Sequence, residues 1–244
     1  MADRYFVESP IRNSSARLVA GEAHHLAHVM RAAPGAMVTL FDGSGAEFAA
    51  RVEKVGRAEI ELAIVSREPV DRELPVPVTL GVALPKGDRQ RWLVEKATEL
   101  GIGRLVPLVT EHGNIRVSPA TLAKLRRAVI EACKQCGRNR LMEIALSQPL
   151  EEFLTDRDDG GLRLIAHRPG KSCRQALDAS LPRGAATQSV VLAIGPEGGF
   201  TPAEIERAQS RGWQAVDLGP RVLRVETAAV ALAAAVVGRL EGPS

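Results

Sequence analysis

The sequence predicts an α/β protein in two parts, a small β-rich domain over residues 1–73 and a larger domain over residues 74–244. Short apolar strands joined by tight turns occupy the first part, as in a compact β-barrel. Residues 67–77 are charged and contain three prolines, which is typical of a linker. From Val78 onward strands alternate with helices, and this alternation favours a mostly parallel sheet covered by helices.

Three strands and one short helix are predicted in the first part. Apolar residues at 37–41 indicate a strand, and the Asp-Gly-Ser-Gly sequence at 42–45 is a strong turn signal after it. Two further strands are predicted at 46–55 and 58–65. The short helix is predicted at 21–31.

The second part carries five predicted strands and four predicted helices. The strands are expected at residues 78–84, 104–109, 162–166, 190–194 and 214–218. The helices are expected at residues 88–100, 119–136, 202–211 and 226–240. Asp88 is expected to cap the first helix, while Gly101 and Gly137 are expected to end the first two.

The composition is ordinary for a globular protein, since 45% of the 244 residues are hydrophobic and 25% are charged. No apolar run approaches the roughly 20 residues needed to span a bilayer. Three cysteines without a secretory signal indicate a reducing, cytoplasmic setting. Residues 116–140 contain seven Lys and Arg residues against Glu131 alone, which suits RNA, although charge alone favours a solvated helix face.

A glycine-rich loop at residues 195–199 is the most informative local feature. It follows a predicted strand and precedes a helix start, where Thr201, Pro202 and Glu204 form a capping-box pattern. Backbone N–H groups near a helix N-terminus suit a ligand, but Glu197 disfavours a phosphate. The loop matches neither the dinucleotide fingerprint nor the P-loop. A ligand site and a simple tight turn are about equally compatible with these residues.

A second loop with glycine and polar residues spans residues 218–227, again between a predicted strand and a predicted helix. Ligands of open parallel sheets collect at the carboxyl ends of the strands, so two such loops favour a site at this edge. The alternative is that Arg221 and Arg224 simply pair with Glu226 on the surface.

Two other patterns resemble metal sites without supporting one. Cys133 and Cys136 form a C-x-x-C pattern, but a second ligand pair is missing and both lie in an amphipathic helix. A packing role is therefore expected. His24, His25 and His28 lack a carboxylate motif and are expected to be surface or packing residues. No metal is predicted.

Five segments carry a resemblance to a known family, at residues 41–43, 95–101, 131–140, 195–199 and 218–228. They include the sequences Glu-Lys-Ala-Thr-Glu-Leu-Gly, Gly-Arg-Asn-Arg and Gly-Pro-Glu-Gly-Gly. Over nearly its whole length the chain resembles the RsmE-type 16S rRNA (uracil-N3) methyltransferases of the SPOUT superfamily. Val225 stands where that family usually has threonine, so the hydrogen bond of that hydroxyl is not expected here.

The resemblance implies a PUA-like β-barrel that grips RNA and a SPOUT domain whose C-terminal chain forms a trefoil knot around S-adenosylmethionine (SAM). It also implies a homodimer that methylates N3 of a specific uridine in the 16S rRNA of the small ribosomal subunit. Because N3 lies on the Watson–Crick edge, the uridine must be unpaired first and must lose its N3–H.

The resemblance also assigns residues. The expected cofactor-binding residues are His167, Gly195, Pro196, Glu197, Gly198, Gly199, Leu218, Gly219, Leu223 and Thr227. We hypothesise that Arg138, Arg221 and Arg224 hold phosphate or stabilise charge on the base. Glu226 or Glu197 would accept the proton or orient an arginine. RNA contacts are expected at Arg31, Lys86, Arg126, Arg127, Lys134 and Arg140.

Two alternatives stay open at this point. One is a non-catalytic RNA-binding homologue, for which Val225 is the one hint. The other is a SPOUT methyltransferase that acts on a different RNA base or on tRNA.

Overall fold

The computed structural model describes residues 3–155, 160–181 and 187–241. These residues divide into two units. Unit 1 contains the described residues up to Glu73 together with Ile130–Leu141, and unit 2 contains Leu74–Val129 and the described residues from Met142 onward. The return of Ile130–Leu141 to unit 1 is not part of the domain division predicted from the sequence.

Unit 1 is built on a five-stranded sheet. Its strands are β1 (Arg4–Phe6), β2 (Ser15–Val19), β3 (Met37–Phe41), β4 (Ala46–Val55) and β5 (Glu59–Pro69). The order in the sheet is β1-β3-β4-β5-β2, with β1 parallel to β3 and the other neighbours antiparallel. Helix α1 (Ala20–His24) continues into a π-helical turn at His25–Val29, where a single helix was predicted.

The predicted strands β3, β4 and β5 are present, but β5 does not end at residue 65. It extends to Pro69, and Arg67, Glu68 and Pro69 pair with β4 instead of beginning a linker. Their side chains are exposed, so no alternation of apolar residues marks them as a strand. β1 and β2 were not predicted, because β1 has only three residues and only two of the five residues of β2 are buried.

The core of unit 1 follows the period of two along β4. Ala46, Phe48, Ala50 and Val52 are buried, and the residues between them are half-buried or exposed. Their side chains pack in one cluster with apolar residues of the neighbouring strands and with Leu26 of the π-helical turn. One face of the sheet therefore holds the core.

Unit 2 alternates strands with helices, as the sequence predicts. Its strands are β6 (Val78–Val82), β7 (Arg104–Val109), β8 (Glu143–Ile144), β9 (Gln148–Pro149), β10 (Leu162–Ser172), β11 (Val190–Ile194) and β12 (Gln214–Asp217). Its helices are α2 (Arg89–Glu99), α3 (Pro119–Cys136), α4 (Leu150–Thr155), α5 (Cys173–Ser180), α6 (Pro202–Ser210) and α7 (Val225–Leu240), with the end of α3 counted in unit 1.

The strands of unit 2 form one parallel sheet in the order β12-β10-β11-β6-β7-β8, and β9 also pairs with β7. All five residues of β6 and of β11 are buried, because helices cover both faces of the centre. Parallel pairing brings the carboxyl ends of the strands to one edge. No helix among the described residues has the length and hydrophobicity to cross a bilayer.

The sequence predicted the ends of α2 and α3 correctly, but not the cap at the start of α2. Gly101 and Gly137 follow α2 and α3 with φ of +80° and +87°, which confirms both as helix-ending residues. Asp88 occupies the N-cap position of α2, but its side chain makes no capping hydrogen bond. Its backbone is already helical, with φ −64° and ψ −18°, whereas a capping residue is usually extended. The prediction that Asp88 caps the helix is therefore wrong.

Several elements of unit 2 were missed. β10 continues past residue 166 to Ser172, because an irregularity between Ala166 and Lys171 lets the strand resume after exposed residues. The two-residue strands β8 and β9 and the short helices α4 and α5 show no periodicity long enough to predict.

Hydrogen bonds hold the segment that returns to unit 1. The Arg4 guanidinium donates to the Gly137 carbonyl at 3.2 Å and to Asn139 Oδ1 at 2.7 Å. Asn139 Nδ2 in turn donates to the Val70 carbonyl at 3.0 Å, and the Gly45 N–H donates to the Asn139 carbonyl at 3.2 Å. The Gly-Arg-Asn-Arg sequence is thus partly explained by packing within unit 1.

Cys133 of the C-x-x-C pattern is packed in the protein interior. Cys133 is fully buried, and burial raises the pKa of its thiol to about 12, so the sulfur stays protonated at neutral pH. Its Sγ lies 3.5 Å from the Arg140 carbonyl. Within the described ranges, no group of three or more His, Cys, Asp or Glu side chains is arranged to hold a metal ion.

Gly81 in β6 makes room for an aromatic ring of α4. A Cβ atom at Gly81 would lie 2.4 Å from Cζ of Phe153, a side chain that is itself 2% exposed. Because Gly81 pairs with Ala193 and Val106 on the central strands, neither the backbone nor the ring has space to move.

We predict that Gly81→Ala lowers the free energy of unfolding by about 1–3 kcal/mol, since it overpacks the sheet against Phe153. Gly103→Ala is the matched control, because its nearest contact would be the Val78 carbonyl at 3.8 Å. Denaturant unfolding measures both variants. Combining Gly81→Ala with Phe153→Leu should shrink the cost, and equal stability of the two glycine variants would contradict the packing argument.

Candidate functional site

A pocket of about 340 Å³ lies at the carboxyl edge of the unit 2 sheet. It forms where β11 and β12 end and where β10 is interrupted, at Ala166 and His167. The loop after β11, the loop after β12 and the first turn of α7 complete its walls. This is the edge at which the sequence placed two candidate loops.

The loop after β11 turns tightly on its glycines. The Gly199 N–H donates to the Pro196 carbonyl at 2.8 Å, and Gly199 has φ +71°, a conformation that other residues adopt only with strain. A Cβ at Gly195 would lie 3.1 Å from the buried ring of Phe200. A side chain at Gly195 would therefore crowd Phe200, which also lines the pocket.

A capping box fixes the end of this loop. Thr201 Oγ1 accepts from the Glu204 N–H at 3.2 Å, and Glu204 Oε2 accepts from the Thr201 N–H at 2.8 Å, which confirms the predicted capping box. Glu204 is only 2% exposed, and its Oε1 accepts a further bond from the Glu111 N–H at 3.0 Å. His112 Nδ1 lies 3.2 Å from the Gly199 carbonyl. The segment after β7 therefore contacts the glycine loop and holds it in place.

The loop after β12 is held by Arg168 and Asp217. Gly219 has φ +113°, and its N–H donates to Asp217 Oδ1 at 2.8 Å. Arg168 donates to the Pro220 carbonyl at 3.0 Å and lies 3.4 Å from Asp217 Oδ2. Polar side chains at the end of β12 and within β10 therefore fix the path of this loop.

The ion pair of Glu226 differs from the one considered in the sequence. Glu226 is 7% exposed in the first turn of α7, and it pairs with Arg89 of α2 at 3.5 Å. Arg89 also pairs with Glu197 at 3.3 Å. Arg221 has an exposed side chain and lines the pocket, whereas Arg224 is exposed at the N-cap position of α7, between the lining residues Leu223 and Val225.

Family models show the family to which the chain belongs. A model described as RNA methyltransferase domain matches residues 72–237, and a model described as RNA methyltransferase PUA domain matches residues 20–65. The chain belongs to the RNA methyltransferase family. The predicted fold class, a SPOUT-type parallel sheet preceded by a small β domain, is confirmed by these matches, while the trefoil knot stays a prediction.

Similar proteins carry the family name expected from the sequence. Ribosomal RNA small subunit methyltransferase E of Synechocystis sp. is 34% identical, over 91% of this chain and 73% of its own length. The enzyme of that name from Neisseria gonorrhoeae, solved bound to SAM, is 29% identical with a TM-score of 0.85, covering 98% of this chain and 97% of its own.

A second similar structure also contains the methyl donor. A methyltransferase of Legionella pneumophila, solved in complex with SAM, is 32% identical with a TM-score of 0.85. The match covers 98% of this chain and 97% of that protein. The predicted resemblance to RsmE-type enzymes is therefore confirmed.

In this RNA methyltransferase, nearly all predicted cofactor-binding residues lie together. The pocket is lined by His167, Gly195, Pro196, Glu197, Gly198, Gly199, Leu218, Gly219 and Leu223. Thr227 is exposed on α7 and does not line it, although its neighbours Val225 and Ala228 do. The sequence did not single out Arg168, Phe200 and Val222, which also contribute to the walls.

The predicted catalytic residues are divided between the units. Arg221, Arg224 and Glu226 belong to unit 2, and Arg138 belongs to unit 1. The Arg138 side chain is 4% exposed, and its Nε donates to Glu73 Oε1 at 3.0 Å. Burial and this pairing favour a role for Arg138 in holding its own segment over direct contact with substrate.

The predicted RNA-binding residues differ in exposure. Arg31, Lys86, Arg126, Arg127 and Arg140 are exposed, and Arg31 has φ +53°. Lys134 is different, because its side chain is 15% exposed and pairs with Glu22 at 3.0 Å. Lys134 also lies over the ring of Tyr5, so it is less accessible to RNA than the other five.

His167 is the titratable imidazole of the pocket. Burial lowers its pKa below the usual value near 6.5, so the ring is neutral at pH 7. A neutral imidazole adds no positive charge to the site. It also offers one donor and one acceptor nitrogen to a ligand.

We predict that stability falls in mild acid because of His167. The unfolded ring binds a proton at higher pH than the folded ring, so the free energy of unfolding decreases as pH falls from about 7.5 to 5.5. His167→Gln should make that decrease smaller. Denaturant unfolding at several pH values measures it, and an identical pH dependence in both proteins would contradict the argument.

Proposed function

We propose that this protein transfers the methyl group of SAM to N3 of a specific uridine in the 16S rRNA of the small ribosomal subunit. The observation that carries the proposal is the pocket between the two glycine-containing loops, in a chain whose family is RNA methyltransferase. The names of the similar enzymes supply the rRNA substrate, and two similar structures contain SAM.

The pocket residues suit SAM. Ile194, Leu218 and Leu223 line it with apolar side chains that an adenine ring can contact. The glycines at 199 and 219 bring backbone to the pocket wall, and Glu197 adds a carboxylate that attracts a cation. When bound, SAM supplies an activated methyl group on a positively charged sulfonium.

The protein must then present the base and remove its N3 proton. We infer that Glu226, a largely buried carboxylate beside the pocket, accepts this proton. Arg221 and Arg224, both exposed next to the pocket, would hold phosphate or stabilise the charge that spreads to the uracil oxygens.

Unit 1 and the basic side chains are proposed to bind the RNA. The PUA domain match supports this role for unit 1, and Arg31, Lys86, Arg126, Arg127 and Arg140 supply exposed positive charge. Phosphate contacts of this kind position an RNA without reading its sequence. The choice of uridine would then depend on the pocket.

We also infer a homodimer, a trefoil knot around the donor and a cytoplasmic location. The homodimer is supported by small exposed residues on α7, among them Ala231, Ala235 and Gly238. Ala231 and Ala235 line an open cavity of about 630 Å³ in unit 2. The knot follows from the resemblance to SPOUT domains, and the location follows from the ribosomal substrate.

We predict that the purified protein methylates small subunits from a strain that lacks this activity. An N3-methyluridine blocks the Watson–Crick edge, so reverse transcription should stop at one uridine, and nucleoside mass spectrometry should identify the base. Subunits from a strain with the activity are the control and should accept no further methyl group. Methylation of another base or of tRNA would show a methyltransferase with a different substrate. SAM binding without transfer would favour a non-catalytic RNA-binding homologue.

We predict that Glu226→Gln lowers the transfer rate about 100-fold if Glu226 is the base. Glu206→Gln, an exposed residue of α6, is the matched control for loss of one carboxylate. A transfer rate in Glu226→Gln equal to that in Glu206→Gln would exclude Glu226 as the base.

A further inference from the structure

Arg89 connects the two walls of the pocket, although it is not itself a lining residue. It is the first residue of α2, which begins beyond the carboxyl end of β6, the strand next to β11. Its Nη2 lies 3.3 Å from Glu197 Oε1, and its Nη1 lies 3.5 Å from Glu226 Oε2. One guanidinium thus meets one carboxylate from each side of the pocket.

The two carboxylates belong to segments that are far apart in the chain. Glu197 lies in the glycine loop after β11 and lines the pocket. Glu226 lies in the first turn of α7, between Val225 and Thr227, and Val225 lines the pocket. A change in the distance between these two segments would change the width of the pocket.

The environments of the two carboxylates differ. The Glu226 side chain is 9% exposed, so loss of its cation would leave a desolvated charge without its recorded ion-pair partner. The Glu197 side chain is 60% exposed, so its pairing is screened by water and weaker. The planar, forked guanidinium of arginine can bond both carboxylates at once, which a lysine ammonium does less well.

The scaffold holds Arg89 in place. Helix α2 packs against α7, and its residues Leu93 and Ala97 are buried. The base of the Arg89 side chain is therefore fixed relative to Glu226.

We propose that Arg89 is a positioning residue, which sets the shape of the SAM pocket by joining Glu197 of the glycine loop to Glu226 of α7. The inference rests on the proposed function, because it assumes that this pocket holds SAM. Arg89 acts through the two carboxylates and does not touch the donor. Its loss should therefore weaken SAM binding and leave RNA affinity unchanged.

The test compares Arg89→Gln with Arg91→Gln in the full-length protein. Arg91 lies on the same helix and pairs with Glu95 at 2.7 Å, so its replacement removes an equivalent charge and ion pair away from the pocket. Arg89→Gln should raise the SAM dissociation constant about tenfold by calorimetry, and Arg91→Gln should leave it unchanged. Arg89→Lys should recover part of the loss.

A second variant separates pocket positioning from general destabilisation. Glu197→Gln changes an exposed carboxylate that folding does not need. In the Arg89→Gln background it should have a smaller effect on SAM affinity than in wild type, because the bond to Arg89 is already absent and only the attraction between the carboxylate and the cationic donor is lost. Additive effects of the two substitutions would overturn the proposal.

Steady-state kinetics distinguish a positioning role of Arg89 from a direct effect on the reaction. A positioning role predicts that Arg89→Gln raises the KM for SAM more than it lowers kcat. A lower kcat with an unchanged KM for SAM would overturn the proposal, since it would indicate that Arg89 affects the reaction through Glu226 and does not shape the SAM pocket. If wild type itself fails to bind SAM, the proposed function fails; if wild type binds SAM and Arg89→Gln matches Arg91→Gln, only the role of Arg89 fails.

Discussion

Parallel pairing of β10 with both β11 and β12 is the constraint on which the functional site depends. Ile165 of β10 is in register with Ala193 of β11 and with Ala215 of β12, so the three strands reach the same edge at the same level. The chain segments that follow them must therefore meet there. Glycines with positive φ at 199 and 219 let two of those segments turn tightly enough to leave a pocket between them.

Side chains outside the pocket hold these loops in place. Glu204 links the glycine loop to the segment after β7, Arg168 holds the carbonyl of Pro220, and Arg89 reaches both walls. Glu204 belongs to α6, Arg168 to β10 and Arg89 to α2, so the sheet and the helices beside it both supply these contacts. A methyl-transfer site gains from such support, because the rate depends on the position of the reacting atoms.

Local signals predicted much of the fold, and long-range contacts account for what they missed. A few adjacent residues are enough to predict the apolar strands, the glycines that end α2 and α3, and the Thr201 capping box. Arg89 was missed because Glu226, its partner, lies 137 residues away. The return of Ile130–Leu141 to unit 1 was missed for the same reason, since Arg4 and Val70 supply its hydrogen bonds.

A crystal structure of this protein grown with SAM tests the central claim most directly. The account predicts that the donor lies between the loop at residues 195–199 and the loop at residues 218–223, at the end of β11 and β12. It also predicts that Arg89 remains bonded to Glu197 and Glu226 in that complex. SAM bound at another surface, or both loops empty at saturating SAM, would contradict the account.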